Sequence, residues 1–199
     1  MSTKKTIGGR LNENLTETLE KAGVISDVHH ILTSGKHAVK SIQCARLFEN
    51  PPLCRDIFTV LARQFEGEGI DVVLGPALGG IIPAYELSRI LGARNIFCER
   101  ENGAMKLRRG YYINPGEKVL IAEDVITTGG SVRITLSLVE EMGGIPAGIC
   151  AVADLSSGRA SFDLPMAIAA QIDLISYSQE ECPLCASGVP LEHRASRAI

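Results

Sequence analysis

The chain has 199 residues, 45% hydrophobic and 22% charged, with a formal net charge of −3. That is length enough to bury a core as one domain, and a composition too apolar and too weakly charged for a disordered chain. The acidic balance argues against nucleic acid as a main partner, and no apolar run approaches the ~20 residues of a membrane span.

The N-terminus, Met-Ser-Thr-Lys-Lys-Thr, lacks the apolar core of a secretory signal, so the chain is read as cytoplasmic. Residues 11–23 space Leu11, Leu15, Leu19 and Ala22 along one stripe, which predicts an amphipathic helix ending at Gly23. A second helix is predicted over 53–66, with Ile57, Val60, Leu61 and Phe65 as its apolar face. From residue 71 strands and helices alternate. Asp71–Leu74 reads as a strand, Ile81–Leu91 as a helix with Pro83 in its first turn and Gly92 past its end, and Asn95–Cys98 as a strand. Lys118–Ala122 follows as a strand, Ser131–Met142 as a helix stopped by Gly143-Gly144, and Ala147–Ala153 as a strand. Such alternation implies βαβ units on a parallel sheet. A single domain is expected over 1–199, with an N-terminal cap (1–65), an α/β core (66–175) and a C-terminal tail (176–199).

Residues 119–131 read Val-Leu-Ile-Ala-Glu-Asp-Val-Ile-Thr-Thr-Gly-Gly-Ser. An apolar strand runs into an acidic pair, then into a hydroxyl- and glycine-rich loop that opens a helix. At the carboxyl end of a parallel strand such a loop offers backbone N–H groups, hydroxyls and a helix N-terminus to an anion. Glu123 and Asp124 cannot hold phosphate themselves, but they suit ribose hydroxyls or a magnesium shell. The strip reads as a site for a phosphorylated sugar.

Two further loops carry polar chemistry. Gly75-Pro76-Ala77-Leu78-Gly79-Gly80 follows a strand and opens a helix, so its amides could face a second anion; its glycines could equally serve tight packing. Between Cys98 and Tyr111 lies a connection without apolar periodicity that carries Arg100, Lys106, Arg108 and Arg109. Its length suggests a functional lid, with a solvated hairpin as the alternative. Of the six cysteines, Cys44, Cys54, Cys98 and Cys150 read as reduced core residues. Cys182-x-x-Cys185 has the spacing of half a zinc site, but no second pair exists and His193 is the only nitrogen ligand nearby in sequence. Two chains of a dimer could supply four thiolates; ordinary reduced cysteines are the other reading.

The strip at 119–131 resembles the signature with which type I phosphoribosyltransferases bind 5-phosphoribosyl-1-pyrophosphate (PRPP). From about residue 24 onward the chain is similar to the orotate phosphoribosyltransferases. The likeness includes Arg-Arg-Gly-Tyr at 108–111, Asn-Pro-Gly-Glu at 114–117, and Cys-Pro-Leu-Cys at 182–185 followed by Gly-Val-Pro-Leu. The resemblance implies an α/β fold, a parallel sheet flanked by helices, with an N-terminal cap and a flexible lid loop. It implies transfer of the phosphoribosyl group from PRPP to orotate with Mg2+, by a homodimer whose lid reaches the neighbouring subunit's site.

Carried onto this chain, the resemblance places PRPP on Glu123, Asp124, Val125, Ile126, Thr127, Thr128, Gly129, Gly130 and Ser131, with Leu78, Gly79, Arg100 and Arg108. Glu123, Asp124 and Lys106 would serve catalysis, and Asp124 would hold Mg2+ indirectly. Thr127, Lys36 and Arg159 would meet orotate, with His37 a further candidate in the segment His30–Arg46. The chain departs from the family pattern in three places. Leu155 stands where an arginine binds the orotate carboxylate, Ser41-Ile42 replaces an aromatic, and Thr33 replaces a basic residue. Two alternatives therefore stay open: a PRPP-dependent transferase for another base, and a PRPP-sensing regulator without catalysis. The first 65 residues offer no basic recognition helix for the latter.

Overall fold

The computed structural model describes residues 9–32 and 34–192, with residues 9–14 described by backbone alone. Leu11, Thr33 and His193 therefore fall, in whole or in side chain, outside the described residues. Helix α1 (Gly9–Lys21) buries Leu15 and Leu19 and gives way to Gly23, whose φ of 69° suits the left-handed turn after a helix. Strands β1 (Ile25–Ile31) and β2 (His37–Ile42) then form an antiparallel hairpin that the residue pattern did not predict. After the short α2 (Ala45–Phe48), α3 spans Pro51–Ala62. It starts two residues earlier than predicted, because the Asn50 side chain accepts from the Leu53 N–H (3.3 Å) and the prolines occupy the first helical positions. A 3-10 turn, Arg63–Phe65, completes the predicted segment.

The alternating region follows the expected order. Strand β3 (Val72–Pro76) leads to α4 (Ile81–Leu91), which ends at Gly92 with φ 68°, and then to β4 (Arg94–Glu101). Strand β5 (Ala104–Leu107) folds back antiparallel on β4. Strand β6 (Lys118–Ile126), helix α5 (Gly130–Glu141), β7 (Ile145–Asp154) and β8 (Met166–Gln171) complete the unit. The sheet has the order β5-β4-β3-β6-β7-β8 and is parallel except at β5. Strand β9 (Ser176–Tyr177) pairs with β2, so the tail joins the N-terminal hairpin in a second sheet, ordered β1-β2-β9. A final short helix, α6, covers Pro183–Ala186.

Alternation along the strands divides the core. Val73, Leu120, Ala122, Cys150, Val152 and Ala167 point to one face, where α1, α3 and α4 cover them with Leu19, Phe58 and Leu87. Val72, Leu74 and Val119 point to the other, under Leu138 and Val139 of α5, while Ile121, Ile149 and Ala151 pack there with Val132. Such period-two burial on both faces is what a parallel sheet with helices on each side requires. Cys44, Cys54, Cys98 and Cys150 are free and buried, as expected. No helix among the described residues is long and apolar enough to cross a membrane.

Candidate active site

Strands β3 and β6 pair only as far as Leu74 and Ile121; beyond that, β3 stays with β4 while β6 stays with β7. From this split α4 packs on one face of the sheet and α5 on the other. A crevice at the carboxyl ends of strands that diverge in this way is where open α/β sheets bind ligands. The two glycine-bearing loops read from the sequence flank it.

The acidic pair lies inside β6 rather than after it. Pairing with β7 continues through Glu123↔Ala151 and Ile126↔Asp154, which extends the strand four residues past the predicted Ala122. The loop Thr127-Thr128-Gly129 then turns into α5 with Gly129 in the left-handed conformation at φ 76°. A side chain there would also press on Phe162 and Ala160, so glycine is required twice over. Thr128 Oγ1 accepts from the Gly130 N–H at 3.4 Å, and the Thr135 hydroxyl donates to the Ser131 carbonyl at 2.8 Å. Glu123 and residues 125–132 line a small, open concavity. Val125, Ile126, Thr127, Thr128, Gly129, Gly130 and Ser131 thus converge as the sequence suggested.

The second loop is docked on the first site. A methyl group on Gly79 would overlap the Asp124 carboxylate, and one on Gly80 would meet the Ala122 carbonyl at 2.5 Å. Glycine is what lets this loop approach β6, and it puts Gly79 beside Asp124. Leu78 is exposed at the loop's crest. Asp124 is further fixed by the Val125 N–H, which donates to its Oδ1 at 2.7 Å.

Both carboxyls are electrostatically unusual. Burial, then the neighbouring Asp124 charge, pushes Glu123 up to about 8, and burial raises Asp124 as well. Among the described residues no cation offsets either group. A buried Glu123 beside a half-buried Asp124, with no such cation near them, is a functional-site signature, suited to hydroxyl donors or a cation brought with the ligand.

The basic connection between Cys98 and Tyr111 is a β4–β5 hairpin turning at Asn102-Gly103. Lys106 and Arg108 both pair with Glu101, and Arg109 pairs with Glu99 at 3.2 Å; Arg100 is exposed.

The phosphoribosyl transferase domain family matches residues 43–163. An orotate phosphoribosyltransferase of Thermoanaerobacter sp. is 46% identical over 185 residues, covering 93% of this chain and 97% of that protein. The chain belongs to the orotate phosphoribosyltransferase family. Solved structures agree on the fold. The orotate phosphoribosyltransferase of Aeropyrum pernix superposes with a TM-score of 0.66 at 20% identity, over 79% of this chain and 93% of that one. An adenine phosphoribosyltransferase of Rhodothermus marinus gives 0.67 at 23%, over 80% and 99%.

Against the orotate phosphoribosyltransferase pattern, the base-side residues are placed less uniformly. Leu155 packs against the main apolar core, and its N–H donates to the Ile126 carbonyl at 2.8 Å. Arg159 is exposed on the following turn, one residue before Ala160, which faces Gly129. Lys36 is exposed at the start of β2. His37 is turned inward instead: it is 2% exposed and its Nδ1 lies 3.2 Å from Cys185 Sγ. Nor does Cys182-x-x-Cys185 lack nitrogen partners, since His29 and His37 both meet it. Sequence spacing could not reveal that, because some 150 positions separate the histidines from the cysteines and only the fold joins them.

Proposed function

We propose that the chain transfers the 5-phosphoribosyl group from PRPP to N1 of orotate, releasing orotidine 5'-phosphate and pyrophosphate. The observation that carries this is the pairing, at one sheet crevice, of a hydroxyl- and glycine-rich loop with an acidic pair that no cation among the described residues neutralises. Loop 127–131 suits the 5-phosphate: Thr127 and Thr128 are exposed residues that lead into the N-terminus of α5, where backbone N–H groups and the helix dipole favour an anion. Glu123 and Asp124 suit the ribose hydroxyls. Gly79 and Leu78, beside Asp124, suit the pyrophosphate.

The donor set also fits Mg2+ accompanying PRPP, with Asp124 holding it indirectly; the bound ion supplies charge neutralisation to pyrophosphate. As the C1–oxygen bond stretches, negative charge grows on the leaving pyrophosphate and positive charge on the ribosyl ring. Lys106, Arg100 and Arg108 on the β4–β5 hairpin are the cations to meet the first, exchanging Glu101 for pyrophosphate. The C1–N1 bond forms as the C1–oxygen bond breaks, the electron pair of the broken bond leaving with pyrophosphate and the N1 proton leaving to solvent. No covalent nucleophile is needed; position and charge carry the step. Thr127, Lys36 and Arg159 are the base-side contacts, with Arg159 taking the carboxylate that Leu155 cannot bind. The family resemblance supports a homodimer sharing its hairpins, and the free thiols support a cytoplasmic setting.

Asp124→Asn combined with Thr128→Ala removes one group from each half of the PRPP site. It is expected to lower PRPP turnover by about 100-fold or more. Unchanged turnover in a folded double variant would remove the assignment. A base panel separates the orotate reading from a transferase for another base, which Leu155 motivates.

A further inference from the structure

Away from the crevice, four ligand-grade side chains converge where the N-terminal hairpin meets the tail. His29 comes from β1, His37 opens β2, Cys182 caps α6 and Cys185 lies within it. One donor atom of each lies within 4.8 Å of all the others. We propose that these four residues form a structural zinc site, with His29 Nε2, His37 Nδ1 and both Sγ atoms as ligands.

The spacing is that of a coordination shell. A tetrahedral ion with Zn–N of about 2.0–2.1 Å and Zn–S of about 2.3 Å sets its ligands roughly 3.3 Å apart for two nitrogens and roughly 3.5 Å for nitrogen and sulfur. Here His29 Nε2 and His37 Nδ1 are 3.1 Å apart. The nitrogen–sulfur separations are 3.4 Å (His29–Cys182), 3.6 Å (His29–Cys185) and 3.2 Å (His37–Cys185). His29 Nε2 faces three polar atoms at once, a convergence that pairwise hydrogen bonds do not call for.

The outer contact fits as well. His29 Nδ1 lies 2.8 Å from the Val189 carbonyl. A carbonyl only accepts, so Nδ1 carries the proton and Nε2 turns its lone pair into the cluster, the arrangement that orients metal-bound histidines. His29, His37 and Cys182 are 3%, 2% and 1% exposed. A divalent ion with two thiolates and two neutral imidazoles is uncharged overall, with two thiol protons released to solvent on binding, so the set can be buried at little cost. Sulfur and imidazole select zinc and disfavour magnesium, which keeps this site chemically distinct from the substrate crevice.

The location gives the ion work to do. Helix α6 is four residues long and none of them is buried, so it has no apolar anchor of its own. Coordination would fasten it to β1 and β2, and thereby fix Lys36, which directly precedes His37. The test uses the full-length untagged chain, reduced, loaded with Zn2+ and dialysed, with metal content read by mass spectrometry. One zinc per chain in the wild type and less than a tenth of that in Cys182→Ser/Cys185→Ser is expected. Co2+ titration of the reduced wild type gives a reading independent of how the variant folds: intense tetrahedral d–d bands with thiolate charge transfer are expected. Weak octahedral bands, a zinc-free wild type, or equal zinc retained by the folded double variant would overturn the site.

Discussion

Glu123 is a carboxyl group held where a charge is poorly solvated and next to a second acid. Its folded value of about 8 lies above the ordinary 4.5, so between those limits the folded chain keeps a proton that the unfolded chain has lost. Stability from this group is therefore fully present below about pH 4.5 and is lost as pH rises through 8. Asp124, also raised by burial, adds to the same slope. Glu123→Gln keeps the shape without the titration. Denaturation midpoints between pH 5 and 8 are expected to fall in the wild type and to fall distinctly less in the variant. Equal slopes would show that Glu123 is not the buried acid described here. Leu155 makes a related point about single positions. Its departure from the family pattern was visible in the sequence, but only the structure shows that it packs, partly buried, against the core, with Arg159 exposed on the adjacent turn.

Loops and strands define the crevice by close approach. Gly79 is the contact at which the loop after β3 meets the acids of β6. A methyl group there must displace the Asp124 carboxylate or the loop, an overpacking cost of about 1–3 kcal/mol. Gly79→Ala is expected to raise the PRPP KM by about tenfold or more while the fold survives. An unchanged KM would detach this loop from the PRPP site. The helices were legible because their signals are local: α4 was readable to its exact ends from Pro83 and Gly92. The end of β6 was not, because it is set by pairing with β7 across the sheet, which holds an acidic pair in a strand where local chemistry suggests a turn. The strands of the N-terminal hairpin escaped notice for a similar reason. His29 and His30 interrupt its apolar pattern, and His29 is buried by partners far along the chain.

Taken together, the βαβ order made the α/β class and the position of the sugar-phosphate strip legible before any coordinates. Hidden from it was the closure of the chain on itself: β9 joins β2, and the tail cysteines meet the hairpin histidines. Those are contacts between opposite ends of the sequence, and no local pattern encodes them. Loop 127–131, the acidic pair and Gly79 meet at one crevice, while Lys36, Thr127 and Arg159, the residues proposed for the base, are exposed. The most direct measurement is pyrophosphate release from PRPP and Mg2+, with orotate compared against no base. Rapid release that depends on orotate, and that falls in Arg159→Ala, is the expected result. Tight PRPP binding without orotate-dependent release would mean that the acceptor, or catalysis itself, has been misassigned.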